Sequence, residues 1–298
     1  MKRGKYLELL RSLIFVPGNR PNLRERALGF DADVIMLDLE DSVPPDEKAG
    51  ARDTVREWIP RLRRDGRRVM VRVNSLDTGL TRAELAAVVG PGLDGISLGK
   101  AESPEELQDV DRIITALEPV AGIEPGKVKL IPWIENAKAV MAPYQMATAS
   151  VRIIAVAFGA EDYTNDMDLQ RTDTGEEVYF ARSVVAVAAR AANVGALDSP
   201  FVRFREPDAL QTDIQVIKQM GYTGKFAIHP AQLEVINQAF SPSPEEVAYA
   251  QRVVDAWKQA EAEGRGSLDL DGRMVDVPVF KRAQNLLDRV GTIEAIRG

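Results

Sequence analysis

The sequence predicts an α/β protein built as a TIM (β/α)8 barrel with a C-terminal helical/hairpin arm, and three observations support this prediction. Eight short runs rich in valine, isoleucine and leucine recur along the first 230 residues. These runs are continuously apolar rather than alternating, which is typical of strands buried on both faces of a parallel sheet. Helical stretches separate them, and open doubly wound sheets usually contain fewer than eight β-then-α units.

The predicted strands follow one another in order, each with a helical stretch after it. They span residues 12–17, 34–40, 68–74, 95–100, 128–135, 151–162, 193–200 and 224–230. Two helix starts carry capping-box signals, Ser103 with Glu106 and Thr81 with Glu84. We therefore expect residues 1–240 to form a TIM barrel catalytic domain.

The last part of the chain, residues 241–298, departs from this repeat. The stretch "SPSPEEVAYAQRVVDAWKQAEAEGRG" predicts a capped helix that ends at glycine. "SLDLDGRMVDV" predicts a hairpin turned at Asp271-Gly272, and "FKRAQNLLDRVG" a final helix. We expect these residues to form an arm beyond the barrel that acts as a lid, an oligomerisation contact, or both.

Composition excludes several classes of protein. The chain has no cysteine and one histidine, so any metal must be held by oxygen ligands, which favours Mg²⁺. The absence of cysteine is also typical of a cytoplasmic protein. Neither a bilayer-spanning apolar run nor a signal peptide is visible, so no membrane partner is expected. The net charge of −7 argues against nonspecific nucleic-acid binding.

Positive charge is nevertheless concentrated at the N-terminus. The basic side chains among residues 1–26 are Lys2, Arg3, Lys5, Arg11, Arg20, Arg24 and Arg26. A basic patch on an acidic protein suggests one local anionic partner, although a solvated charged face explains the composition equally well.

A TIM barrel places its functional residues at the carboxyl ends of its strands. The polar residues predicted there are Glu40, Asp41, Arg72, Asn74, Lys100, Glu135, Glu161, Asp162, Asp198 and His229. Acids this crowded raise one another's pKa unless a cation intervenes. Glu135 and Asp162 follow neighbouring strands, and two carboxylates with water ligands are the usual magnesium arrangement. The alternative is that either acid caps a helix or pairs with an arginine.

Three other residues near these ends allow more than one interpretation. Arg72 lies between buried valines and offers a bidentate grip on a carboxylate, or an internal salt bridge to Glu40 or Asp41. Lys100 at the barrel rim raises the alternative of a Schiff base. His229 precedes a proline, which suits a structural hydrogen bond at a helix start or a contact to a ligand.

Seven stretches together resemble one known family. They are "RSLIFVPGNRPNLRERA", "ADVIMLDLEDSVPPDEKAGAR", "VRVNSLDTG", "IPWIENAKAV", "AFGAEDY", "GKFAIHPAQLEVINQAF" and "GRMVDVPVFKRAQNLL". They are similar to the citrate lyase β-subunit-like group of the HpcH/HpaI aldolase superfamily, which includes malyl-CoA and citramalyl-CoA lyases. The resemblance implies a Mg²⁺-dependent TIM barrel acting on the carbon–carbon bond of a CoA thioester, commonly assembled as trimers or larger homo-oligomers.

The resemblance also implies roles for individual residues. Glu135 in "WIENA" and Asp162 in "GAEDY" match the metal ligands, and Arg72 in "VRVN" matches the arginine that holds the 2-oxo acid. Asp276 in "GRMVDVP" matches a catalytic aspartate that the arm of a neighbouring subunit delivers across the interface. The positions that match contacts to coenzyme A or substrate are Phe15, Arg20, Arg26, Ile228 and His229.

The function implied is cleavage of citramalyl-CoA or malyl-CoA to acetyl-CoA and pyruvate or glyoxylate. One alternative is a citrate lyase β subunit that acts on a carrier-protein thioester. A second is a class I aldolase that works through Lys100, and a third is a non-enzymatic CoA-binding regulator.

Overall fold

The computed structural model describes residues 9–63 and 67–297, and it confirms the TIM barrel. Eight parallel strands pair in chain order, and the last pairs with the first to close the barrel. The strands are β1 (Ser12–Pro17), β2 (Val34–Asp38), β3 (Arg68–Val73), β4 (Gly95–Leu98), β5 (Lys129–Ile134), β6 (Ala155–Phe158), β7 (Gly195–Asp198) and β8 (Gly224–Ala227).

Helices surround the barrel and supply its outer layer. They are α1 (Pro21–Ala27), α2 (Lys48–Leu62), α3 (Thr81–Val88), α4 (Pro104–Val120), α5 (Ala137–Val140), α6 (Pro143–Thr148), α7 (Ala160–Asp166), α8 (Glu176–Ala192), α9 (Pro207–Met220) and α10 (Ala231–Phe240). None of the helices in the described ranges combines the length and the apolar character that crossing a membrane requires.

The apolar runs of the sequence reflect burial on both faces of each strand. Along β1, Leu13 and Phe15 belong to the cluster inside the barrel, whereas Ile14 and Val16 pack outward against the helices. Because both faces are covered, apolar residues occupy consecutive positions and the usual alternation is absent.

The sixth strand is shorter than predicted. It ends at Phe158, and Gly159 caps α7, so Glu161 and Asp162 lie in the first turn of a helix rather than at a strand end. Arg152, inside the predicted strand, turns its guanidinium into the helix layer to pair with Glu118 at 2.7 Å, and it lies before the regular strand. The regular strand therefore begins only after this buried ion pair, at Ala155.

One of the two predicted helix caps is wrong. Ser103 does accept a hydrogen bond from the Glu106 backbone N–H at 3.4 Å, but the Glu106 carboxylate accepts from the Glu102 backbone N–H, so only half of this capping box is present. Thr81 instead donates its hydroxyl to the Asn74 carbonyl, and the Glu84 carboxylate accepts from the Asn74 backbone and side-chain N–H groups. These side chains serve the loop after β3 because buried polar groups there need partners.

The arm has the predicted helix–hairpin–helix order. It contains α11 (Pro244–Ala262), β9 (Leu268–Leu270), β10 (Arg273–Val275) and α12 (Val277–Arg297), which is longer than predicted. Ser243 and Glu246 form a full capping box at the start of α11. The arm has its own apolar cluster, in which the Trp257 and Phe280 rings stack 5.5 Å apart. The functional division between residues 1–240 and 241–298 stays a prediction.

Asp198 does not join the acids at the carboxyl ends of the strands. Its neighbour Leu197 points into the barrel, so Asp198 points outward, where it pairs with Lys225 and with Arg182 at 3.0 Å. Lys225 also pairs with Asp213 of α9 at 2.7 Å. These four side chains form a buried charge cluster between the barrel and α8 and α9.

Replacing Asp213 with asparagine is expected to reduce stability. The charges of Lys225 and Arg182 outweigh burial and lower the pKa of Asp213 to about 2. A carboxyl with a depressed folded-state pKa adds stability above its unfolded pKa and loses it as the pH falls towards 2. Asp213→Asn should therefore lose about 2 kcal/mol in urea unfolding at pH 7. The difference from wild type should shrink near pH 3.

Asp53→Asn is the matched control, since Asp53 is exposed and, among the described residues, pairs with Arg56 one turn along α2. Its free energy of unfolding should stay within about 0.5 kcal/mol of wild type. Equal losses in the two variants would show that the buried cluster contributes nothing specific.

Candidate active site

Charged side chains converge at the carboxyl ends of β2 to β6, as the sequence predicted. The contributing residues are Asp38 at the end of β2, Glu40 and Asp41 in the following loop, Arg72 of β3, Lys100 after β4, Glu135 after β5 and Asp162 in α7. Glu40 and Glu135 are buried and Asp162 is half-buried.

Arg72 is held by a carboxylate that the sequence analysis missed. Its Nε and Nη2 donate to the two oxygens of Asp38 at 2.7 Å each, and its Nη1 lies 3.0 Å from Glu40 Oε2. The internal salt bridge left open above is therefore present, with Asp38 as the main partner. The sequence did contain a sign of this pair, because Asp38 lies inside the apolar run "VIMLDLE" and a buried carboxylate needs a positively charged or hydrogen-bonding partner.

Asp38 also shapes the loop that carries the next two acids. Its oxygens accept from the backbone N–H groups of Glu40 at 3.0 Å and Ser42 at 3.3 Å. Burial alone would raise the pKa of Asp38, but the Arg72 guanidinium holds it below its usual value. Asp38 thus stays ionised and couples the arginine to the loop.

The side chain of Asn74 does not face the site and instead forms hydrogen bonds that hold the loop after β2. Its Nδ2 donates to the Leu39 carbonyl at 2.8 Å and its Oδ1 accepts from Lys48 Nζ at 2.9 Å. Lys48 also donates to the Leu39 and Glu40 carbonyls. The sequence placed Asn74 among the rim residues, but its orientation was set by these buried partners.

Glu135 lies in a narrow cradle at the centre of the site. The Lys100 backbone N–H donates to its Oε1. A side chain at Gly159 would collide with Glu135, and one at Gly99 would put its Cβ 3.2 Å from Glu135 Oε1 and 2.8 Å from Glu40 Oε1. Burial raises the pKa of Glu135 to about 8, and the negative charges of Asp162 and Glu40 add to the rise.

The two adjacent acids of "GAEDY" have different surroundings. Glu161 is exposed and pairs with Arg171 at 3.0 Å. Asp162 is close enough to Glu135 for its charge to raise the pKa of that carboxyl. Within the described residues, the side chain of Asp162 has no hydrogen-bond or ion-pair partner. Glu161 is therefore paired, and Asp162 is available to a cation.

These residues suit a hard divalent cation. Burial is the main cause of the raised pKa of Glu135, and the negative charges of Asp162 and Glu40 add to it, so a cation at this place would favour the ionised carboxylate. No cage of three acidic or imidazole side chains occurs in the described ranges. Two carboxylates with water and substrate oxygens completing the shell are what Mg²⁺ prefers. The assignment of Glu135 and Asp162 as its ligands stays a prediction.

The geometry of Lys100 disfavours a Schiff base. Its Nζ lies 3.0 Å from Glu40 Oε1 and 2.8 Å from Asp41 Oδ1. Burial would lower the pKa of Lys100, but the hydrogen bond to Asp41 and the charge of Glu40 raise it above its ordinary value. A lysine nucleophile needs a depressed pKa, which is the opposite of what this site provides.

The basic N-terminal patch is smaller than its sequence suggests. Arg11 is buried and forms a double contact to Asp33, at 2.6 and 2.9 Å. Arg24 is buried as well, donating to the Gly18 carbonyl beside the Trp58 ring. The exposed members among the described residues are Arg20 and Arg26, both in the connection after β1. Lys2, Arg3 and Lys5 lie outside the described residues.

Phe15 forms part of the floor beneath the acidic site. Its ring stacks with Trp133 at 5.9 Å and Phe226 at 5.1 Å, and the Arg72 guanidinium lies 4.5 Å above it. The side chain is only partly buried, so a contact to coenzyme A stays a prediction for Phe15.

The loop after β8 places Ile228 and His229 at the same end of the barrel. Ile228 is 43% exposed, and the His229 ring stacks on Phe204 at 4.8 Å. His229 Nδ1 accepts from the Ala231 backbone N–H, which is the structural hydrogen bond expected at a helix start. Contacts from these two residues to substrate stay a prediction.

Asp276 caps the last helix of the arm. Its Oδ1 accepts from the Val279 backbone N–H at 3.1 Å, and its carbonyl accepts from the Phe280 N–H. The side chains flanking it on the arm surface, Met274 and Val277, are 69% and 43% exposed. The catalytic role of Asp276 across a subunit interface stays a prediction.

Buried carboxylates and a fixed arginine lie together at the carboxyl ends of the barrel strands, where TIM-barrel enzymes have their active sites. Residues 11–230 match the family described as HpcH/HpaI aldolase/citrate lyase, and the chain belongs to that family. Its relatives are named as lyases, and this chain is a carbon–carbon lyase.

Three relatives place the chain within the family. It is 37% identical over 279 residues to the citrate lyase subunit beta of Leuconostoc mesenteroides subsp. cremoris, covering 94% of this chain and 92% of that protein. It is 32% identical to the L-malyl-CoA/beta-methylmalyl-CoA lyase of Cereibacter sphaeroides, covering 96% of each. CitE from Mycobacterium tuberculosis, solved with magnesium, acetoacetate and coenzyme A, superposes with a TM-score of 0.77 at 28% identity, covering 96% of this chain and all of that one.

Proposed function

We propose that this chain is a Mg²⁺-dependent lyase that cleaves a 3-hydroxyacyl-CoA thioester to acetyl-CoA and a 2-oxo acid. The substrate is citramalyl-CoA, giving pyruvate, or malyl-CoA, giving glyoxylate. The observation that carries the proposal is the buried Glu135, which lies close to the negative charge of Asp162 and to the guanidinium of Arg72, which Asp38 holds in place. The relative named as a malyl-CoA lyase and the relative solved with magnesium and coenzyme A support it.

Glu135 and Asp162 are the residues that would hold the ion. When bound, Mg²⁺ supplies Lewis-acid polarisation at the oxygen whose charge changes as the carbon–carbon bond breaks. Glu40 and Asp41, at the edge of the same cluster, would accept hydrogen bonds from waters around it.

Arg72 would grip the carboxylate of the 2-oxo acid. Asp38 holds Nε and Nη2, so the plane of the guanidinium is set before substrate arrives. Nη1 points to Glu40 and, at 3.5 Å, to Asp41, whose side chain is 54% exposed. A substrate carboxylate can take the place of this outer partner without reorganising the arginine, which favours electrostatic stabilisation.

Asp276 would act as the general acid and base. As the carbon–carbon bond breaks, the substrate hydroxyl would lose its proton to solvent water and become the carbonyl of the 2-oxo acid, and the electron pair of the bond would pass to the enolate of the acetyl thioester. Asp276 in its protonated form would give its proton to the enolate carbon; in the reverse direction its carboxylate would remove a methyl proton. The aspartate would come from the arm of a neighbouring subunit, which makes a homo-oligomer, a trimer or a multiple of one, part of the proposal. Arg20 and Arg26 would contact the phosphates of coenzyme A as fixed cations.

A carrier-protein thioester is the second candidate substrate. The identity of 37% to a citrate lyase subunit beta over almost the whole of both chains favours it. In that case the protein would act on a citryl group bound to another subunit and not on free coenzyme A.

Assays of the purified chain with malyl-, citramalyl- and citryl-CoA and with a citryl thioester of a carrier protein, each with Mg²⁺ and with EDTA, test the proposal. We expect Mg²⁺-dependent release of acetyl-CoA from malyl- or citramalyl-CoA. Activity restricted to a carrier-protein thioester would support the second candidate. Binding of coenzyme A without metal-dependent release of any 2-oxo acid would overturn both and favour a CoA-binding regulator.

A further inference from the structure

Lys100 adopts a backbone conformation that is unusual for a residue with a side chain. Its φ of 54° lies in the left-handed region, although glycine precedes it and could have taken the turn. Non-glycine residues in this region carry a conformational cost and persist where the surroundings determine them. The position of this strain, directly after β4, points to a function for Lys100.

The strained conformation lets one residue contact both parts of the acidic cluster. The backbone N–H of Lys100 points to Glu135, while its Nζ turns the other way to Glu40 and Asp41, at 3.0 and 2.8 Å. Lys100 therefore supplies a fixed positive charge inside the acidic cluster.

The charge balance of the cluster indicates what this ammonium does. Arg72 and Asp38 form a neutral pair through two hydrogen bonds, at 2.7 Å each. The remaining carboxylates are Glu40, Asp41, Glu135 and Asp162, and Lys100 adds one positive charge to them. Arg72, whose charge Asp38 already offsets, also lies 3.0 Å from Glu40 through Nη1. With a divalent ion bound, the set is still negative by one charge, and without Lys100 it would be negative by two.

We propose that Lys100 is a positioning residue that sets this balance, weakening the binding of the divalent cation and strengthening the binding of the anionic 2-oxo acid. The inference rests on the proposed function, because it assumes that both ligands meet at this cluster. A positive charge repels the cation and attracts the acid, so its removal must shift the two affinities in opposite directions.

Lys100→Met keeps an unbranched side chain one atom shorter than that of lysine and removes its charge. We expect calorimetric titration with MgCl₂ alone to give a dissociation constant about tenfold lower than for wild type. Titration with pyruvate or glyoxylate at saturating Mg²⁺ should give a dissociation constant about tenfold higher. KM for the thioester in the cleavage assay should rise more than kcat falls.

Three further variants separate charge from structure. Lys100→Gly accepts the positive φ without strain and keeps the N–H that contacts Glu135, so it should shift both affinities like Lys100→Met. Lys100→Arg keeps the charge and should restore values near wild type. Lys127→Met removes an exposed lysine, 3.6 Å from Glu124, before β5 at the opposite end of the barrel, and should change neither affinity.

The outcomes distinguish this inference from the proposed function. If wild type binds Mg²⁺ and cleaves a thioester, but Lys100→Met and Lys100→Gly bind Mg²⁺ with the wild-type affinity, the proposed role of Lys100 is wrong and the proposed function stands. The same holds if both affinities fall together, as general damage to the site would cause. If wild type binds no Mg²⁺, the proposed function fails, and the role of Lys100 fails with it.

Discussion

Replacing Glu135 with glutamine is expected to lower kcat/KM by about 10³-fold or more. The carboxylate lies at the centre of the site, and glutamine keeps its shape without the charge that would hold the ion. A catalytic metal contributes several kcal/mol of transition-state stabilisation, and each 1.36 kcal/mol corresponds to a factor of ten in rate. Steady-state kinetics over a range of Mg²⁺ concentrations would measure the loss, and calorimetry would show the loss of metal binding.

Glu161→Gln is the matched control, because Glu161 precedes Asp162 yet is exposed and pairs with Arg171. It removes one acidic charge from the same helical turn and should keep kcat/KM within a few-fold of wild type. If Glu135→Gln retained Mg²⁺-dependent turnover, or Glu161→Gln lost it equally, Glu135 would not be a metal ligand.

Glu135→Gln should also stabilise the metal-free protein. Burial, with the nearby charges of Asp162 and Glu40, raises the pKa of Glu135 to about 8. A carboxyl with a raised folded-state pKa binds more protons when folded, so stability falls as pH rises between the unfolded and folded values. We therefore expect metal-free wild type to lose stability from pH 5 to pH 8, and Glu135→Gln to lose less. Thermal unfolding in EDTA across this range would show whether the two curves converge at low pH.

Replacing Asp276 is expected to reduce turnover by about 10²–10⁴-fold, the usual contribution of a positioned acid or base. The structure adds a complication, since Asp276 also caps α12 through the Val279 N–H. Alanine removes both roles and should cost about 1 kcal/mol of stability in addition. Asparagine keeps a capping oxygen but cannot transfer the proton. Asp276→Asn should therefore lose turnover at nearly unchanged thermal stability.

Mixing subunits tests whether Asp276 works across an interface. Co-expressed Glu135→Gln and Asp276→Asn chains, each inactive alone, should form mixed oligomers in which some sites combine an intact Glu135 with an intact Asp276. Part of the wild-type activity should return in the mixture. Full activity of Asp276→Asn alone would exclude the role, and the absence of recovery in confirmed mixed oligomers would place both residues of a site on one chain.

Much of the barrel was predictable because each strand has a local signature. Residues such as those from Ser12 to Pro17 are buried on both faces and form an apolar run that is visible without any partner. The capped helix starting after Ser243 and the hairpin turned at Asp271-Gly272 are likewise encoded by residues close in sequence. Each of these elements is determined by residues close to one another in the sequence, so its pattern predicts it without knowledge of the tertiary structure.

The partners of the charged residues were not predictable in the same way. Arg11 and Arg24 belong to the basic N-terminal stretch of the sequence, but both are buried. Asp198 lies at the carboxyl end of its strand, but its side chain faces the surrounding helices. Asp38, which orients Arg72, lies inside a strand that was interpreted as simply apolar. Strand pairing places residues 34 positions apart in register, and that pairing is not encoded locally.

The sequence by itself determined the order of the elements, the oxygen-only chemistry available to a metal and the acidic character of the site. The tertiary structure decided which charges neutralise one another and which remain to bind a ligand. Apolar burial is a property of each residue and its period, so it leaves a pattern along the chain. The ionisation of a carboxylate depends on distances and burial set by the whole fold, and only the closed barrel brings Glu40, Lys100 and Glu135 together.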